Sequence, residues 1–275
     1  MRFLRRVARA VSGTLGRDTA VINKLRPLYD WFTDWSSGGR GVLHRVNDEE
    51  FRIDPHYRPH VPEVYDPEVC SYLRQHVRAG DICLNVGAHV GIYALSLAKW
   101  SSPGGCVYAF EPNPATRAIL QKHARLNDTV GAIEVVGQAV SASPGEASFF
   151  ADGIEGLSRL GQPNPHVRLN PTAVTVSVTT VDAFCAVRGL APNWITLDVE
   201  GYEAAALAGA HETIAAGRGR LSVIVEMHPN LWQAAGSSRA AMDMLLSSLS
   251  LTVVPMTGQA DPLGDYGIVR LDYCV

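Results

Sequence analysis

The stretch Ile82-Cys83-Leu84-Asn85-Val86-Gly87-Ala88-His89-Val90-Gly91 decides how the rest of the chain is read. Asp81–Val86 is a short apolar run, the pattern of a strand buried on both faces of a parallel sheet. Gly87 permits a tight turn directly after it. Gly91, four residues on, lets a helix pack closely or a ligand approach, and residues 91–100 continue as an apolar helix. A G-x-x-x-G is weak evidence by itself. Placed between the carboxyl end of a strand and the start of a helix, it sits where α/β sheets bind ligands.

The same alternation spreads outward from this loop. Upstream, Pro67–Arg78 reads as a helix, with Val69, Leu73 and Val77 on one face. Downstream come a strand at Cys106–Phe110, a helix from Pro114 to Asn127 and a strand at Ile133–Val136. Ala147–Ala151 and Ala173–Val178 alternate like antiparallel strands around a loop-rich segment at 152–171. Then follow a helix at Val181–Arg188, a strand at Trp194–Val199, a helix at Tyr202–Ala216 and a strand at Leu221–Met227. A helix over Leu231–Leu249 and strands near Leu251–Pro255 and Gly267–Tyr273 close the chain. Strands alternating with helices predict βαβ units and a mainly parallel sheet. Residues 31–62 read as irregular, broken by Ser36-Ser37-Gly38-Gly39 and by Pro55, Pro59 and Pro62. The expected division is an extension at 1–62 and one catalytic domain at 63–275.

Composition narrows the class. The 275 residues are 47% hydrophobic and 19% charged, an ordinary globular balance. No run approaches the roughly 18 uninterrupted apolar residues of a membrane span. A net charge of −3 removes the whole-protein case for nucleic-acid binding. The five cysteines (Cys70, Cys83, Cys106, Cys185, Cys274) form no C-x-x-C, the usage of a reduced, cytoplasmic compartment, and no metal site is expected. Charge is uneven: residues 1–30 carry seven basic residues against Asp18 and Asp30, a net of +5. With Phe3, Leu4, Val7, Val11 and Leu15 near helical spacing, the segment reads as a basic amphipathic helix. It is expected either to touch an acidic carrier, a membrane surface, an acidic substrate or a second copy of the chain, or to pack as a lid with a solvated arginine face.

Two acidic groups carry the chemistry. The strand after the glycine loop ends in Phe110-Glu111-Pro112, and Glu111 lies 24 residues after Gly87. That is close to the spacing at which a carboxylate accepts hydrogen bonds from a ribose diol. The G-x-G-x-x-G of a dinucleotide site and the G-K-S/T of a P-loop are both missing, so a phosphate cradle is poorly supported. S-adenosylmethionine, which has no phosphate, needs only close approach, an acid for its ribose and polar groups for its aminoacyl end. Further on, Asp198 and Glu200 fall at the end of one strand, and Glu226 and His228 at the end of the next. If these strands are neighbours, the group can take a proton from a hydroxyl or bind a hard cation. Glu203 reads as an acid in the first turn of a helix. The histidines other than His89 and His228 read as surface or loop residues, and Cys83, Cys106 and Cys185 as core.

In order, Tyr65-Asp66-Pro67, Val86-Gly87-Ala88-His89-Val90-Gly91, Phe110-Glu111-Pro112-Asn113-Pro114, Ala139-Val140-Ser141, residues 180–184 (T-V-D-A-F), residues 197–203 (L-D-V-E-G-Y-E) and residues 225–229 (V-E-M-H-P) resemble the FkbM family of S-adenosylmethionine-dependent methyltransferases. The resemblance runs from about Phe51 to Asn230. It implies a class I methyltransferase (Rossmann-like) fold, a seven-stranded sheet with one antiparallel strand flanked by helices, here with an N-terminal helical extension. It implies methyl transfer to oxygen, often of a sugar or natural product; some relatives methylate nitrogen, including side-chain amides of peptides. Asn85 stands where the family usually has Asp, and His89 where Asn is common. Asn85, Gly87, Ala88, His89 and Gly91 are then expected to shape the cofactor loop, Glu111 and Pro112 to meet the ribose, and Ala139 and Val140 to wall the adenine. Asp198 belongs at the methyl-donor end, and Glu200, Glu226 and His228 are the further candidates for base or acceptor contacts. The rival classes are an amide N-methyltransferase, a non-catalytic cofactor-binding scaffold and a nicotinamide oxidoreductase. The missing dinucleotide fingerprint argues against the last.

Overall fold

A computed structural model describes Trp35 and residues 38–151, 158–163 and 172–274. The basic segment at 1–30 and most of the loop at 152–171 lie outside the described residues. The chain divides into two compact units, residues 1–63 and 64–275.

In the first unit the segment read as irregular holds an antiparallel hairpin, β1 (Val42–Val46) with β2 (Glu49–Ile53), in register from Val42↔Ile53 to Val46↔Glu49. Val42, His44 and Val46 are buried on one face, and Asn47 turns the chain with φ 50°. Both strands are only five residues long, and the breakers around them dominate the pattern. A 3₁₀ turn, Pro55–His60, follows, capped by Asp54, whose side chain accepts from the His56 N–H at 3.1 Å. His44 is a core residue, with Nε2 2.8 Å from the Val61 carbonyl.

The second unit begins with α1 (Pro67–His76), started by a proline at its first turn, and β3 (Ile82–Val86). Then come α2 (Ile92–Trp100), β4 (Cys106–Phe110), α3 (Pro114–Leu126) and β5 (Ile133–Val136). Asn113 caps α3 by accepting from the Ala115 N–H, and Pro114 fills its first turn. Next are β6 (Ala139–Val140), β7 (Gly145–Ala151), β8 (Arg159–Leu160), β9 (Thr172–Thr179) and α4 (Val181–Arg188), the last capped by Thr180. The chain ends with β10 (Trp194–Leu197), α5 (Glu203–Ala208), α6 (His211–Ala216), β11 (Ser222–Met227), α7 (Pro229–Trp232), α8 (Arg239–Ser248), β12 (Leu251–Pro255) and β13 (Gly267–Tyr273).

Seven strands form one mixed sheet in the order β12-β13-β11-β10-β3-β4-β5. The pairs from β11 to β5 are parallel, and β13 runs antiparallel to both β11 and β12. Helices α2, α3, α5 and α8 pack on its strands, and its core is aliphatic and aromatic, with Leu84, Phe110, Ile195, Val225 and Trp232 almost fully buried. The chain leaves β3 toward β4 on one side, and β10 lies against β3 on the other. The crevice at their carboxyl ends is the topological switch point. A second sheet, β6-β9-β7-β8, is inserted between β5 and α4, with a small core of Phe149, Leu160, Val176 and Val178.

Two long helices expected from the sequence are each divided. The first breaks between α5 and α6 at Gly209, where a β-carbon would stand 2.1 Å from the Ser141 carbonyl oxygen, so the backbones approach too closely for any side chain. The second breaks after α7, passes through a 3₁₀ turn at Gln233–Ala235 and restarts at Ser238, whose hydroxyl caps α8. No helix among the described residues is long and apolar enough to cross a membrane.

Candidate active site

The loop after β3 is held by backbone contacts. Gly87 has φ 82°, and a β-carbon there would lie 1.7 Å from the Asp198 carbonyl oxygen. The glycine therefore lets the loop after β3 rest directly on the end of β10. The Gly87 and Ala88 N–H groups donate to the Phe110 carbonyl at 3.1 and 2.9 Å, which ties the same loop to β4. His89 takes φ 50°, a conformation that His tolerates better than bulkier or β-branched residues. Gly91 begins α2 in the left-handed region.

Glu111 is buried beside this loop. Its Oε2 accepts from the His89 N–H at 2.8 Å and its Oε1 from the Asn113 N–H at 2.9 Å. Burial pushes its carboxyl up to about 7 against these two bonds and the charge of Arg117. Each oxygen spends one lone pair on backbone and keeps another that can accept a further hydrogen bond. Pro112 is buried next to it. The Glu111 N–H donates to Val136 at the end of β5, three residues before Ala139, and Ala139 and Val140 are buried in β6. Asn85 is 3% exposed. Its Nδ2 donates to Thr196 Oγ1 at 3.0 Å, across β3 and β10, and its Oδ1 has no hydrogen-bond partner among the described residues.

The acidic group gathers at the ends of β10 and β11. The Asp198 N–H donates to Val86 at 2.9 Å, fixing the residue against the end of β3. Its side chain is 38% exposed, yet Oδ1 is shielded and accepts no hydrogen bond among the described residues. His228 Nε2 stands 3.8 Å from Glu200, 3.9 Å from Glu226 and 4.0 Å from Asp198. On the other edge of the ring, Nδ1 is 2.9 Å from Glu203 Oε1. A carboxylate can only accept, so Nδ1 carries the proton of that bond. Glu203 is fully buried and also accepts from the Gly201 N–H at 2.8 Å and Trp232 Nε1 at 2.7 Å. The expected helix-turn acid is thus the residue that orients His228.

Burial depresses the His228 imidazole, but the bond to Glu203 and the charges of Glu203, Asp198 and Glu200 outweigh it and lift the ring to about 10. It is an imidazolium at neutral pH. Burial and the neighbouring carboxylates raise Asp198, and burial raises Glu226 although the Tyr266 hydroxyl donates to it. Burial brings Glu200 to about 7. Asp198, Glu226 and His228 each present a ligand atom, all within 4.8 Å of one another, a spacing that can hold a divalent cation if His228 gives up its proton.

Tyr65 stands near this group: burial raises its hydroxyl, and Asp198 and Glu226 add to the effect. Its ring meets Tyr93 edge-on at 5.4 Å, and the Tyr93 hydroxyl donates to Asp66 at 3.0 Å. The sequence pointed to Tyr65-Asp66 only as part of a motif, and gave no signal for Tyr266, which reaches Glu226 because β13 pairs with β11. Glu203 could have been suspected from the apolar Ala204–Leu207 run that follows it. His123, read as a surface residue, is fully buried, with Nδ1 2.8 Å from the Val90 carbonyl. Cys83 and Cys185 are buried as expected, and Cys106 is partly so.

A family model, the methyltransferase FkbM domain, matches residues 85–250. The chain is similar to 31-O-demethyl-FK506 methyltransferase FkbM of Streptomyces tacrolimicus, 34% identical over 83 residues. That match covers 30% of this chain and 32% of the relative, about a third of its length. Among solved structures, the methyltransferase FkbM of Methylobacillus flagellatus is 16% identical, with 74% of this chain and 50% of that one covered and a TM-score of 0.46. An S-adenosylmethionine-dependent O-methyltransferase of Thermotoga maritima is 12% identical, with 86% and 78% covered and a TM-score of 0.44.

Proposed function

Since the chain belongs to the FkbM methyltransferase family, we propose that it transfers a methyl group from S-adenosylmethionine to a hydroxyl of a sugar or natural-product small molecule. The observation that carries this reading is the contact of Gly87 with the Asp198 backbone, which joins the cofactor loop and the acidic group in one crevice. The residues fit the cofactor. Glu111 keeps lone pairs for a ribose diol, and the unpartnered Asn85 Oδ1 is an acceptor suited to an amino group. Gly87 and Ala88 offer close approach without a phosphate cradle. Ala139 and Val140 are the proposed adenine wall. The class I methyltransferase fold belongs to the same proposal.

The bound cofactor supplies an activated methyl group, so the protein has mainly to align the acceptor oxygen and exclude water. Asp198 is the proposed base: its shielded Oδ1 is open to a proton, and its raised carboxyl holds that proton better than an ordinary aspartate. The imidazolium of His228, oriented by Glu203, balances the charges of Asp198, Glu200 and Glu226 and keeps them in place. Glu200 and Glu226 line the acceptor side.

Two measurements test the reading. Calorimetry of the purified chain with S-adenosylmethionine, its demethylated product and NAD should show binding of the first two alone. Mass spectrometry of hydroxylated acceptors incubated with protein and cofactor should show the gain of one methyl on oxygen. Tight NAD binding, or methylation only of amide nitrogen, refutes it.

A further inference from the structure

Arg159, at the start of β8, pairs across the strand with Phe150 of β7. It is 1% exposed, and its Nε, Nη1 and Nη2 have no hydrogen-bond partner among the described residues. Its guanidinium lies over the Tyr202 ring, with Cζ 5.5 Å from the centroid. A guanidinium stays charged and carries five donors. Buried with no hydrogen-bonded anion, it is a costly arrangement, which a single cation–π contact offsets only in part. Other arginines of the fold are satisfied: Arg117 by the Glu111 and Pro112 carbonyls, Arg188 by Glu134, and Arg270 by Asp272. Among the described residues, Arg159 is the arginine that is buried, and no hydrogen bond reaches its guanidinium.

Its position says what it faces. Tyr202 follows Asp198 by four residues and packs on the small core of the inserted sheet. The positive charge also reaches Glu200, where it opposes the burial that raises that carboxyl.

We propose that Arg159 is the docking point for an anionic group, a carboxylate or phosphate, carried by the methyl acceptor. The planar fork suits two oxygens of such a group. Acceptors of this enzyme are therefore acidic sugars, phosphorylated sugars or acid-bearing natural products, and the neutral ones are poor. The inference rests on the methyl-transfer reading, and the cofactor's own carboxylate is the competing source of the same chemistry.

The experiment uses the full chain and the variants Arg159→Met and Arg159→Lys. Calorimetry with S-adenosylhomocysteine, and with its decarboxylated analogue, reads the cofactor side. Thermal-shift titrations with inorganic phosphate, glucuronate and uncharged methyl glucoside, at low salt with S-adenosylhomocysteine present, read the acceptor side. The expected result is saturable stabilisation of wild type by the anions and not by methyl glucoside. The response should weaken about tenfold or more in Arg159→Met, with S-adenosylhomocysteine affinity held within about twofold. Arg159→Met should also melt higher than wild type without ligand, because it removes an unpaired buried charge. Arg159→Lys keeps the charge without the fork and should fall between the two in anion response, which preserves the test if the methionine variant misfolds. An equal anion response in wild type and both variants, or none in wild type, overturns the proposal. So does a loss of S-adenosylhomocysteine affinity that vanishes with the decarboxylated analogue, which would assign Arg159 to the cofactor. If wild type fails to bind S-adenosylhomocysteine at all, the underlying methyl-transfer reading has failed instead.

Discussion

Replacing Glu111 with Gln separates what this carboxylate does for the fold from what it does for the cofactor. Two backbone N–H groups, those of His89 and Asn113, point at its two oxygens. Glutamine offers one oxygen and one NH₂, so one N–H loses its acceptor and faces a donor. An unsatisfied buried donor costs about 1–3 kcal/mol. Removing the buried charge offsets part of this, so the net loss at pH 8 should be about 1–2 kcal/mol, a fall in Tm of roughly 2–8 °C for a unit of this size. On the cofactor side the variant loses a charge-assisted hydrogen bond to the diol, about 1.5–3 kcal/mol. That is roughly a ten- to hundredfold weaker S-adenosylhomocysteine affinity. Differential scanning calorimetry and isothermal titration on the same preparation check both figures. A variant that melts lower but binds as tightly as wild type would leave Glu111 a loop brace and remove it from the cofactor site.

The remaining predictions concern protons and metal. Glu111 lies near 7 when unliganded, and a diol prefers the ionised form, so S-adenosylhomocysteine affinity should fall as pH drops below 7 and binding near pH 7 should release a proton, readable by calorimetry in two buffers. Glu111, Glu200, Asp198 and Glu226 are all raised on folding, so the folded chain holds protons that the unfolded chain has released; His228, raised to about 10, adds stability that is lost between about 6.5 and 10. Melting of the unliganded protein should therefore drop steadily from pH 5.5 to pH 9, and a maximum near pH 8 would contradict these shifts. Asp198→Asn should lower turnover about 10²–10⁴-fold with little change in S-adenosylhomocysteine affinity, and near-normal turnover would move the base elsewhere. On the metal-free reading turnover should survive exhaustive chelation; activity lost to chelator and restored by magnesium would make Asp198, Glu226 and His228 ligands.

The main sheet was legible because its signals are local. Apolar runs mark β3, β4, β10 and β11, and helix starts are written in Pro67, Asn113-Pro114 and Thr180. The candidate site residues could be placed at strand ends for the same reason. What was not legible depends on contacts between distant segments. Gly209 divides a helix because Ser141 presses on it, and no pattern near residue 209 says so. Glu203, Trp232 and His228 form a buried hydrogen-bonded set from three elements, and Tyr266 joins Glu226 only through the antiparallel pairing of β13. Arg159 sits in a segment that reads as loop, and only its burial marks it. The β1–β2 hairpin escaped because short alternating strands among prolines and glycines carry little periodicity.

The inserted sheet β6-β9-β7-β8 has a core of its own, while the proposed cofactor loop is locked to the end of β10 through Gly87 and Asp198. This arrangement separates what must stay constant from what is free to vary. On the proposed reading, changes in β7 or β8 alter the surroundings of Arg159 with the Gly87–Asp198 contact untouched. If Arg159 docks the acceptor as proposed, exchanging that sheet between relatives should shift acceptor range, whereas libraries aimed at residues 85–91 should return mostly inactive protein.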